Sequence, residues 1–225
     1  IGTDNQRIPS DEEIAAAESL VNYKDILLRP EDHSVKLAKA GMSIDLGGIA
    51  KGYAVDEVRA IFAKHHIENG LINLGASSMY ALGSNAKGGP WRIGIKHPRN
   101  DDKDTYLGIV AVSNENISTS GDYERFFEEN GVRYHHIFDP KTGRPARNGV
   151  MSDSVLVDSS IEHGGMLGDM LTTILFVLGP ERGMEFARSV NGVEAMITTT
   201  DGKIYMTDGF KSHFSDLNSD FKLMP

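Results

Sequence analysis

An α+β fold of mixed, mostly antiparallel strands with packed helices is predicted by three observations. Short apolar runs bounded by Gly, Asn and Pro fill the middle of the chain, and helical periodicity is confined to a few segments. The two kinds of element also fail to alternate as a doubly wound sheet requires. The 225 residues, 40% of them hydrophobic, fit one large domain or two small ones. No repeat, low-complexity tract or composition break forces a boundary, so residues 1–225 read as a single region.

Ser10 with Glu13 three residues later forms a capping box, and Ile14, Ala17 and Val21 follow at helical spacing, so a helix starts there. Residues 34–38 alternate polar and apolar, and Gly41-Met42 after them predicts a hairpin into a strand over 43–46. Beyond Gly47-Gly48, apolar Ala54, Val58, Ile61 and Phe62 mark a helix ending near His65-His66 and Gly70. The expected unit is strand, tight glycine turn, helix. Strands are expected over 71–74, 79–82, 91–95 and 107–112. Residues 118–122 and 139–143 read as turns, with a strand over 134–138 between them. A strand over 154–157 leads into a helix over 167–178 that stops at Gly179-Pro180, and a further helix spans 181–190. Residues 194–199 and 203–206 read as a hairpin with a type I′ turn at Asp201-Gly202.

Composition excludes several chemistries. Without cysteine there is no disulfide framework, thiolate nucleophile or Cys-ligated metal. A net charge of -9 with no basic stripe repels phosphate backbones, so no nucleic-acid partner is expected. The most apolar stretch, 174–178, falls far short of the ~20 residues that cross a bilayer. The chain begins at Ile1, so a signal peptide or lipid anchor upstream is beyond what it reveals.

Four segments could carry chemistry. In the run Asp45-Leu46-Gly47-Gly48-Ile49-Ala50-Lys51, glycines ahead of a helix let backbone approach a ligand, and Lys51 adds a positive charge. A plain glycine turn with a solvated lysine is the alternative, set against Asp45, which with Lys51 brackets the turn. Asp169 and Thr173, four apart on one helix, offer a carboxylate and a hydroxyl to a hard cation such as magnesium. Equally, Asp169 could be a helix charge and Thr173 could bond back to a carbonyl. In Tyr134-His135-His136-Ile137-Phe138, alternation puts the two histidines on opposite faces, so one of them could act as a general base. Ser118-Thr119-Ser120-Gly121-Asp122 could cradle a phosphate or cap a helix.

Taken together, the segments 45–58, 118–127, 134–145 and 168–179 resemble the ApbE family of FAD:protein FMN transferases in order and spacing, over essentially the whole chain. The resemblance implies an ApbE-like, T-fold-related architecture. It also implies an enzyme that takes FAD with Mg²⁺ and transfers FMN to a threonine of a flavin-acceptor protein, releasing AMP. On it, Asp45, Lys51, Gly75, Thr119, Ser120, Gly121 and the Ile137 backbone would meet FAD. The Gly48 carbonyl, Asp169 and Thr173 would hold the metal, and His136 would assist deprotonation of the acceptor threonine. The location implied is extracytoplasmic, with a lipoprotein anchor upstream as the only link to a membrane.

Three features depart from the family pattern. The section that normally precedes the Ser10 helix, with its Met-Gly-Thr strand, is not in this sequence. The usual Leu-Gly-Gly-Asp/Asn element reads Leu74-Gly75-Ala76-Ser77-Ser78, and the usual Ala-Asp ahead of the metal ligands reads Gly168-Asp169. The first two departures motivate a second reading, a non-catalytic FAD carrier; a Mg²⁺-dependent FAD pyrophosphatase in which water replaces threonine is a third.

Overall fold

In the computed structural model, which describes residues 6–100, 102 and 105–225, a helix layer, a large sheet and a smaller sheet stack in that order. The chain runs α1 (Asp11–Glu18), β1 (Ile26–Arg29), β2 (Ser34–Leu37), α2 (Ala50–Lys64), β3 (Gly70–Leu74), β4 (Ser78–Leu82), β5 (Trp91–Lys96), β6 (Tyr106–Val112) and β7 (Glu115–Gly121). It continues through β8 (Phe126–Glu129), β9 (Val132–His135), β10 (Phe138–Asp139), β11 (Arg144–Pro145), β12 (Val150–Asp158), α3 (Gly164–Leu178) and α4 (Pro180–Ser189). The last elements are β13 (Val193–Thr199), β14 (Lys203–Met206), α5 (Asp208–His213), β15 (Phe214–Ser215) and β16 (Lys222–Leu223).

Seven strands form the large sheet in the order β16-β14-β13-β12-β7-β4-β3, antiparallel throughout except for the parallel β14–β16 pair. Its middle strand β12 is buried from Val150 to Val157, as expected of a strand covered on both faces. One face carries Val155, Val157, Ala195 and Ile197 against Leu171, Leu175 and Phe176 of α3 and Met184 of α4. The other face packs Ile117, Leu156, Met196 and Ile204 on Ile93, Leu107 and Val110 of the β15-β6-β5 sheet and on Phe210 of α5. Fully burying each large side chain contributes about 1.5–3 kcal/mol, so this double interface fixes how α3 lies on the sheet. A third, smaller cluster of Val55, Ile72 and Tyr80 seats α2 beside it.

The expected elements are largely present, including the Ser10/Glu13 capping box. Four expectations are corrected. Residues 43–46 form no strand, and β2 pairs with the earlier β1 through a turn in which His33 takes φ 53°. Asp45 instead closes a side-chain turn onto Gly47, which removes a residue from any ladder. Residues 118–122 are not a turn: 118–121 belong to β7, in the middle of the large sheet, because small hydroxyl side chains fit where a helix lies close overhead. The strand expected over 134–138 breaks at His136-Ile137, so that β9 pairs with β8 and β10 with β11. Finally, β13 and β14 join through a three-residue loop in which only Gly202 takes positive φ, so the turn is not type I′.

Candidate active site

Helices α2 and α3 cross at glycine on glycine. A Cβ on Gly52 would lie 2.1 Å from the Gly165 carbonyl oxygen, and one on Gly165 would lie 2.5 Å from the Gly52 carbonyl oxygen. Any side chain at either position would hold the helices apart. Asp56 of α2 ties the crossing by accepting the Gly165 and Met166 N–H groups at 2.9 Å each.

Asp169, reaching back from α3, is buried and engaged at both oxygens. It accepts the Gly52 N–H at 3.1 Å and the Ser78 hydroxyl at 2.8 Å, which locks its orientation. In an unbroken helix the Gly52 N–H would go to the carbonyl four residues back, that of Gly48. Because it goes to Asp169 instead, no backbone N–H among the described residues is bonded to the Gly48 carbonyl. A Cβ on Gly48 would sit 3.8 Å from Thr173 Oγ1. Residues more than a hundred positions apart thus meet at one corner, Gly48 on one side and Asp169 with Thr173 on the other, and their carbonyl, carboxylate and hydroxyl groups are all hard oxygen donors.

That donor set fits Mg²⁺, which binds through one or two carboxylates with other oxygens and usually shares its shell with phosphates. Among the described residues no three His, Asp or Glu side chains gather closely enough to hold a metal ion.

Beside the corner, Lys51 donates to Ser77 Oγ at 2.7 Å, and its Nζ lies 4.0 Å from where a Gly75 Cβ would be. It has no carboxylate partner among the described residues, so its charge is available to an anion. Gly75 takes φ 66° and Ala76 φ 57°, so alanine occupies a left-handed position that glycine takes without steric cost. Asp45 is exposed, with one oxygen holding the Gly47 N–H at 2.6 Å and the other open.

His136 is half-buried. Its main-chain N–H and its Nδ1 both meet the Arg125 carbonyl, at 3.1 and 3.2 Å. A carbonyl only accepts, so Nδ1 carries the proton and Nε2 keeps its lone pair. Burial, then the Arg125 charge, hold the imidazole below its ordinary pKa, and Lys51 adds to the effect from the site side. His135 faces the other way, buried against the Phe176 ring with Nε2 on the Ala146 carbonyl. The Ile137 N–H is taken by His135 Nδ1 at 3.3 Å, and its carbonyl accepts the Ala146 N–H at 2.9 Å.

Residues 119–121 do not converge on one point. Ser120 faces α3, donating to Thr172 Oγ1 at 2.9 Å, and Thr172 in turn donates to the Asp169 carbonyl at 2.9 Å. Thr119 points to the opposite face and bonds Ser154 at 2.8 Å, while Gly121 makes room for the Tyr123 ring. Sequence reasoning missed Ser78, Gly52, Thr172, Ser77 and Asp56. Only the glycines left a trace, since Gly48 and Gly52 stand one helical step apart, as do Gly164 and Gly168.

The ApbE family profile matches residues 1–197. FAD:protein FMN transferase from Klebsiella pneumoniae (strain 342) is 34% identical over 224 residues, covering all of this chain and 67% of the relative. The protein of the same name from Treponema pallidum is also 34% identical, over 99% of this chain and 63% of its own length. Among solved structures, the ApbE protein from Thermotoga maritima superposes with a TM-score of 0.82 at 36% identity, over 95% of this chain and 66% of that one. Flavin transferase ApbE from Vibrio cholerae gives 0.78 at 34% identity, over 94% and 65%. The chain therefore spans about two thirds of the length of these relatives. By sequence and by fold, it belongs to the ApbE family.

Proposed function

We propose that this chain is a Mg²⁺-dependent flavin transferase that moves FMN from FAD onto a threonine of an acceptor protein and releases AMP. The names of its relatives and the oxygen corner support the reading. The observation that carries it is the diversion of the Gly52 N–H to Asp169, which frees the Gly48 carbonyl beside Thr173. Bound there, Mg²⁺ would neutralise charge on the dinucleotide's phosphates, which an acidic chain otherwise repels.

The chain's own residues supply the rest. Gly52 and Ser78 keep the Asp169 carboxylate turned to the corner, and Lys51 holds a phosphate oxygen by charge. His136 Nε2 accepts the threonine proton as the new oxygen–phosphorus bond forms and the pyrophosphate bond breaks, with AMP as leaving group. The lowered pKa keeps that base neutral at physiological pH. An extracytoplasmic, lipid-anchored location is part of the proposal and rests on family resemblance. No helix among the described residues is long and apolar enough to cross a membrane.

The test is the intact mass of a threonine-bearing acceptor after incubation with the protein, FAD and Mg²⁺, with AMP measured alongside. Addition of one FMN with matching AMP is expected. Free FMN without labelling would make the chain a pyrophosphatase, and FAD binding without AMP would make it a carrier.

A further inference from the structure

The charge of this acidic chain is uneven around a large cleft. Its lining carries the cations Arg7, Arg144 and Arg147 and, among the described residues, no carboxylate side chain, in a chain of net charge -9. The cleft, about 630 Å³, is walled by Phe127, Tyr134, Phe138, Pro145, Arg144 and Arg147. Phe127 and Tyr134 stack with centroids 5.1 Å apart, and the Arg147 guanidinium lies 5.1 Å from the Tyr134 ring centre. Phe138 stays 48% exposed.

The arginines differ in what they have left to offer. Arg7 is held by Glu13 and Arg144 by Asp11, whereas Arg147 is exposed with no carboxylate partner among the described residues. Aromatic rings and arginine are the side chains that anchor protein contacts most strongly. Along the chain, Tyr134 and Phe138 of the cleft stand two residues to either side of His136, which does not itself line the cleft. The cleft is also separate from the phosphate corner, because neither Lys51 nor Asp169 lines it.

We infer that this cleft docks the acceptor protein, through an acidic segment next to the threonine to be modified. Its rings take apolar side chains, Arg147 takes a carboxylate, and the flanking position delivers the hydroxyl to His136. The inference rests on the transferase reading for the acceptor's identity. Binding itself is measured without turnover.

Fluorescence anisotropy with a fluorescein-labelled peptide carrying one threonine flanked by aspartates tests it, against a counterpart with asparagines in their place. The aspartate peptide is expected to bind about tenfold more tightly, and Arg147→Glu to remove that preference. The same charge reversal at exposed Lys211, on α5 across the sheet, is expected to leave binding unchanged. Equal binding of the two peptides, an Arg147→Glu variant that keeps the preference, or displacement of the peptide by saturating FAD would each overturn the inference. A wild-type chain that binds the aspartate peptide with this preference but never labels threonine would refute the transferase reading and leave the docking cleft standing.

Discussion

Replacing Gly52 with alanine separates the site's geometry from the protein's stability. The new Cβ would start 2.1 Å from the Gly165 carbonyl oxygen and 2.8 Å from Asp169 Cβ, where ordinary contact begins at 3.4 Å, so α2 and α3 must part by about 1.3 Å. Overpacking of this kind costs about 1–3 kcal/mol, while exchanging a helical glycine for alanine returns about 1 kcal/mol. The net loss is then about 0–2 kcal/mol, or up to about 8 °C in Tm for a chain of this size. The site suffers more. The Gly52–Asp169 hydrogen bond, 3.1 Å in the wild type, opens beyond about 4 Å and is lost. Metal ligands tolerate only about 0.2 Å of misplacement, so Mg²⁺ affinity should fall at least about tenfold. Calorimetric titration of Mg²⁺ in the presence of FAD, beside thermal melts, measures both. Gly89→Ala, whose Cβ meets nothing nearer than 4.0 Å, is the control. A Gly52→Ala protein that binds Mg²⁺ as tightly as wild type would show that the crossing does not shape the site.

Other outcomes follow from the same geometry. Asp169→Asn keeps the shape but removes the charge, and FMN transfer should fall at least about a hundredfold in the acceptor-mass assay, with folding intact by circular dichroism. Because His136 titrates below the ordinary imidazole value, the rate should hold as pH falls through 6.5 and decline only below that; Arg125→Gln, which removes a depressing charge, should move the acid limb to higher pH. Ala76→Gly relieves a left-handed alanine costing about 1–2 kcal/mol against about 0.5–1 kcal/mol of glycine chain entropy, so thermal melts should show a gain of up to about 6 °C. Asp153 is fully buried, neither oxygen has a hydrogen-bond partner of ordinary geometry among the described residues, and burial raises its pKa well above the usual value. Its contribution to stability is present below the unfolded carboxyl pKa of about 3.9 and lost as pH rises through the folded value. The Tm advantage of Asp153→Asn over wild type should therefore widen from pH 4 upward.

Where periodicity and local chemistry agreed, the fold was readable. Helix α3 and the Asp169–Thr173 spacing lie on one strongly apolar segment, and the Ser10/Glu13 box announces α1. Strand β7 was hidden because Ser118 to Gly121 are turn-formers by composition; they form a strand only because glycines in α3 bring the helix down onto small side chains. Ser78 carried no signal at all. Its hydroxyl meets a carboxylate 91 positions away, a distance that no local pattern encodes. Residues 43–46 showed the opposite failure, with strand-like alternation overridden by the Asp45 side chain bonding its own backbone.

The way Asp56 closes the start of α3 bears on where electrostatic help for substrate can come from. A helix's amino end is a ready seat for phosphate, yet here a carboxylate from the neighbouring helix already fills it, bonded to Gly165 and Met166. The dipole of α3 is thus discharged internally, so under the proposed function a dinucleotide's phosphates would draw instead on Lys51, a bound cation and the uncapped start of α2. Binding should consequently weaken steeply as background salt is raised.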